Sequence, residues 1–180
     1  MHPELQAVID EFESALVRLR ALRDKVPAAA TWLSRPEPER WSIGECVAHL
    51  NLTSTAFVPL MRTGLDEARR SGRAVSARYR RDVLGWLLWR SMGPPVKRKF
   101  TTTAPFVPRS DRASADLVSE FERLQGEQLV LARQADGLPI DRVKIASPFN
   151  PRLRYNLFSA MSILPRHQHR HLWQAEQNLQ

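Results

Sequence analysis

Ser42-Ile43-Gly44-Glu45-Cys46-Val47-Ala48-His49-Leu50 starts a helix at a sharply defined point. Ser42 and Glu45 form a capping box: the Ser hydroxyl accepts from the Glu45 N–H, and the Glu carboxylate reaches back to the Ser42 N–H. Beyond the cap, Val47, Leu50, Phe57, Leu60 and Met61 recur at helical spacing, and Pro59 predicts a kink rather than a stop. Upstream, Leu5, Val8, Ile9, Phe12, Leu16, Leu19 and Leu22 give a first helix that starts at Pro3 and Glu4 and ends near Lys25. Downstream, Ala115 to Asp136 reads as a third helix, with Leu117, Phe121, Leu124, Gln128 and Leu131 on one side and Gly137 as a left-handed C-cap. A fourth runs from about Tyr155 to Gln177, with Leu157, Met161, Leu164, Leu172 and Ala175 inward and a second kink at Pro165. No segment alternates with period two, so the expected fold is an all-α four-helix bundle without strands.

A length of 180 residues with 43% hydrophobic content fits one domain over 1–180 with a packed core. The longest apolar run, Val83 to Trp89, is far below the roughly 20 residues of a membrane span. Met1-His2-Pro3-Glu4-Leu5 does not read as a secretory leader, so the expected location is cytoplasmic. Cys46 is the one cysteine, which excludes an internal disulfide and a Cys-rich zinc ribbon. Charge is unevenly placed. Arg62 to Lys99 holds eleven basic and three acidic residues, so this stretch accounts for the whole net charge of +8. Much of it falls in a basic, Trp-containing insertion, roughly 71–110, between the second and third bundle helices.

The chemistry concentrates in His167-Gln168-His169-Arg170-His171. At about 100° per residue, positions four apart lie roughly 40° from each other, so His167 and His171 point the same way, while His169 lies about 160° from both and is expected to be exposed. The His167/His171 face continues the inward line of Leu157, Met161 and Leu164, so both imidazoles should look into the bundle. His49 lies about two turns into the capped helix. A lone histidine there is ordinarily a hydrogen-bonded core residue. Joined to the pair, it completes a three-histidine set of the kind that holds a divalent metal with one position open. Gln168 stands where a zinc protease has its glutamate, so that route to peptide hydrolysis is disfavoured. No nucleophile elbow, P-loop or dinucleotide fingerprint is present. Cys46, one turn before His49, is either a thiolate near the site or a small packing residue.

Trp41 to Leu50 and His167-Gln168-His169-Arg170-His171-Leu172-Trp173-Gln174-Ala175-Glu176 resemble the two signatures of the DinB-like metal-binding bundle superfamily, and the similarity extends across the chain. The resemblance implies an up-down-down-up bundle, a divalent ion such as zinc, nickel or iron on His49, His167 and His171, and frequent homodimers. It also implies thiol S-transferase activity with a low-molecular-weight thiol such as mycothiol, bacillithiol or glutathione, or metal-dependent hydrolysis. The basic insertion departs from the simplest members. Arg166, Arg170 and the insertion's basic residues could steer an anionic small-molecule substrate, with solvated surface charge as the plainer role. An alternative reading is a non-catalytic protein whose Trp86 and Trp89, beside Arg80, Arg81 and Arg90, meet nucleic acid, an acidic partner or anionic lipid. Nucleic acid is disfavoured, because apolar residues surround this segment as they do in a helix packed on the bundle or on a second subunit.

Overall fold

The computed structural model describes residues 1–95, 102–109 and 111–179. Four long helices make the body: α1 (Pro3–Lys25), α3 (Ile43–Arg70), α5 (Ser114–Gln134) and α6 (Leu157–Gln177). Two short ones, α2 (Ala29–Leu33) and α4 (Val83–Met92), and a 3₁₀ turn at Ala104–Phe106 lie in the connections. Both α1 and α3 pack against α5 and against α6. The helix pairs closest in sequence therefore sit across the diagonals. α3 begins as expected: the Glu45 N–H donates to Ser42 Oγ at 3.1 Å, and the Ser42 N–H to the Glu45 carboxylate at 2.8 Å. Pro59 and Pro165 lie inside α3 and α6, which continue through them. No helix among the described residues is long and apolar enough to cross a membrane.

One expectation is corrected. An antiparallel hairpin is present, with β1 (Lys144–Ala146) paired to β2 (Arg154–Asn156), Ile145 opposite Tyr155. Strands of three residues hold a single inward alternation, too little for a period-two pattern to register. Tyr155 belongs to β2 rather than to the last helix, because the Asn156 side chain caps α6 by accepting from the Ser159 N–H at 2.7 Å.

The Val83 to Trp89 run forms a helix with two apolar faces. Gly85 is buried against α6 and Leu84, Leu88, Trp89 and Met92 pack on the core, whereas Val83, Trp86 and Leu87 are exposed. Of the two tryptophans expected to meet a partner, Trp89 is thus turned inward. Asp82 ties this helix to α6: its carboxylate caps Gly85 N at 2.9 Å and accepts from Asn156 N at 2.9 Å. Lys97, Arg98 and Lys99 of the basic stretch lie outside the described residues.

The core is divided along its length. One apolar cluster joins the N-terminal half of α1 to the C-terminal halves of α3 and α5 and the start of α6 (Phe12, Phe57, Leu124, Phe158). The second joins the opposite ends (Leu19, Val47, Phe121, Leu172). Between them lies a buried polar layer containing His49, Thr53, Gln125, Gln128, His167, Gln168 and His171.

Candidate metal centre

His49 comes from α3, and His167 and His171 from one face of α6. All three are buried, with 2%, 8% and 7% of their surface exposed. Their Nε2 atoms converge: His167 Nε2 lies 3.3 Å from His49 Nε2 and 3.1 Å from His171 Nε2. The three offer one ligand atom each, all within 4.8 Å of one another. Two nitrogens held about 2.0–2.1 Å from one zinc at a tetrahedral angle stand about 3.3–3.4 Å apart, so the observed spacing fits a shared cation.

Hydrogen-bond accounting points the same way. His49 Nδ1 lies 2.8 Å from the Phe106 carbonyl, which can only accept, so the proton of a neutral His49 resides there and its Nε2 presents a lone pair. His167 Nε2 takes part in both short contacts but carries at most one hydrogen. Whether that hydrogen sits on His167 or on His171, one contact is left with no hydrogen directed along it. His167 Nδ1 is also buried without a partner. Neutral imidazoles alone leave one of the two contacts without a hydrogen, and the three converging nitrogens are able to hold a cation.

The electrostatics keep the rings neutral. Burial holds His167 and His171 well below the ordinary imidazole range, reinforced by their mutual proximity, His49 and the Arg170 charge. Burial lowers His49 as well, and the Phe106 carbonyl opposes this. A neutral imidazole is the form that binds a metal. Trp41 and Phe149 border the cluster, with ring centres 4.9 Å from His49 and 6.1 Å from His167 respectively.

The remaining candidate residues go elsewhere. Cys46 is buried in the second apolar cluster and is not among the converging ligand atoms. Gln168 faces α5, exchanging amide hydrogen bonds with Gln125 at 2.8 and 3.1 Å. His169 is half-buried rather than exposed, because α1 covers it: its ring contacts the Glu11 carbonyl at 3.1 Å. Arg170 is 4% exposed, so the solvated role is corrected for it. Arg166 turns away from the histidines and stacks on Trp89, its guanidinium carbon 4.2 Å from the ring centre. Sequence reasoning missed the Phe106 carbonyl and Phe149. Both lie in connections, where no periodicity marks which group returns to the bundle.

A family model of the DinB superfamily matches residues 5–175. No curated protein and no solved structure matches the chain.

Proposed function

The chain belongs to the DinB superfamily, and from that premise we propose that His49, His167 and His171 hold one divalent cation, zinc, nickel or iron, in a metal-dependent enzyme. The observation that carries this is the convergence of three buried Nε2 atoms at 3.1 and 3.3 Å with too few hydrogens to satisfy them. When bound, such an ion lowers the pKa of a thiol or water at its open position and so provides a nucleophile at neutral pH. Phe106 fixes the His49 tautomer through its carbonyl, the outer support that metal-binding histidines require. Trp41 and Phe149 give the rim an apolar lining suited to the carbon skeleton of a small substrate.

The candidate ligand group is made of imidazoles alone among the described residues. Two nucleophiles suit an ion held in this way: a low-molecular-weight thiol, giving S-transfer to an electrophilic acceptor, and water, giving hydrolysis. The up-down-down-up course, the insertion over 71–110 and a homodimeric state belong to the same proposal.

The test is elemental analysis of protein purified without a histidine tag. About one divalent ion per chain is expected, lost in His49→Ala, His167→Ala and His171→Ala. Full metal retention in any of the three overturns the ligand set. Metal-loaded protein is then offered a thiol with an electrophilic acceptor, and separately an ester and amide panel. Transfer abolished in His49→Ala supports the thiol reading, and ester or amide turnover abolished in the same variant replaces it with hydrolysis.

A further inference from the structure

Among the described residues eleven arginines, Arg18, Arg62 and Arg133 included, stand within 4.0 Å of a carboxylate. Two half-buried ones do not. Arg81 and Arg166 make no ion pair and no hydrogen bond among the described residues, although charges withdrawn from water are ordinarily paired. Both stack on the same indole, each guanidinium carbon 4.2 Å from the Trp89 ring centre, so the two cations are separated by no more than twice that distance.

Arg81 also lies over Phe158 at 5.4 Å. Arg166 is pressed on Gly93, where a Cβ would stand 2.6 Å from its Nη2. Three N–H donors in this cluster, Arg81 Nε, Arg166 Nε and Trp89 Nε1, are buried without an acceptor. Glu11 is the one acid whose charge reaches both cations, yet it stays beyond ion-pair distance, and burial raises its affinity for a proton. Beside Arg166 opens a cavity of about 330 Å³, lined also by Glu11, Arg18, Pro94 and His169. Arg18 carries donors only, and the His169 ring donates from Nε2 to the Glu11 carbonyl and turns its Nδ1 to Arg18, so neither supplies the missing acceptor.

We propose that Arg81, Trp89 and Arg166 form a binding site for a tetrahedral oxyanion of the phosphate class, on the flank of α6 away from the histidines. Three unpaired N–H donors meet here, and Glu11, the carboxylate in the cavity wall, bonds to none of them, so the complement is a further acceptor carrying negative charge. Two guanidiniums and an indole N–H offer donors in more than one plane. A planar carboxylate satisfies one fork, whereas a phosphate group, with oxygens in four directions, can accept from several. Arg166 and His167 are about 100° apart around α6, which separates this site from the metal centre and makes the inference independent of it.

The test is calorimetric titration of the full chain with inorganic phosphate, and separately with glycerol phosphate, at ionic strength held constant with chloride. Saturable binding of phosphate alone identifies the free anion, and tighter binding of the ester identifies a phosphate group carried by a small molecule. Both outcomes support the site. Arg81→Gln and Arg166→Gln are each expected to weaken binding at least about tenfold, the worth of one hydrogen bond to a charged group. Gly93→Ala, which displaces the Arg166 guanidinium and removes no charge, is expected to weaken it comparably. Arg62→Gln, exposed and remote, should titrate as the parent does. Circular dichroism checks that each variant is folded; should Arg81→Gln unfold, Gly93→Ala and Arg166→Lys carry the test. No saturable heat with either ligand, or parental affinity in both Gly93→Ala and Arg166→Gln, overturns the site.

Discussion

One helical turn before a ligating position, Cys46 would be a dangerous residue if its thiol ionised readily. It does not, because desolvation, with the Glu45 charge adding to it, pushes the thiol up to about 12. The side chain is 1% exposed and packs among Ala15, Leu19, Val47 and Leu50 as a small apolar group. An aromatic disulfide reagent should therefore find no reactive thiol in the native protein at pH 8 and about one per chain after denaturation. Stoichiometric labelling of the folded state within minutes would contradict this burial.

At the scale of elements, the ends of helices fix where the site-bearing faces point. The capping box holds the start of α3, and the same Glu45 carboxylate receives the Arg35 guanidinium, so the cap also anchors the preceding connection. Ser42→Ala should cost about 1 kcal/mol, read as a lower urea midpoint with an unchanged slope. α4 is set by contact. At Gly85 a Cβ would fall 2.1 Å from Ser159 Oγ and 2.2 Å from Ser159 Cβ, which only displacement of the helix relieves. Gly85→Ala should destabilise by about 1–3 kcal/mol, and it should alter the fluorescence of Trp89, whose ring rides on α4. A parental melting curve in Gly85→Ala would show that α4 is not seated on α6 in this way.

Across the whole molecule, the buried polar layer makes stability depend on acidity. The unfolded chain takes up protons on His49, His167 and His171 as pH falls through 6.5, while burial keeps the folded rings neutral to lower pH. The unfolded state then binds more protons, so the contribution is complete above pH 6.5 and shrinks below it, by up to about 1.4 kcal/mol per pH unit for each ring. In chelator, the urea midpoint should drop between pH 7 and 5.5, with a shallower drop in His167→Gln; a flat profile would refute neutral burial. A second loss belongs to lower pH: hydrogen bonds from His2 hold the Asp136 carboxyl at about 2 instead of 3.8, and that contribution disappears as pH falls through this interval. The long helices and their inward faces were legible in the sequence because a 3.6-residue period over more than five turns leaves little ambiguity, and the box at Ser42 and the i, i+4 histidine pair are local patterns. The short hairpin, the inward turn of Trp89 and the burial of Arg170 were not, since each depends on which distant segment arrives to cover it. The chain by itself therefore determined the helices, their polar and apolar sides and the histidines able to share a cation. Only the tertiary structure decided that α3 and α6 are neighbours, that the Phe106 carbonyl orients His49, and that Arg166 lies on the far flank, because these depend on how separately formed elements pack, and packing is settled by contacts between residues 57 to 118 positions apart.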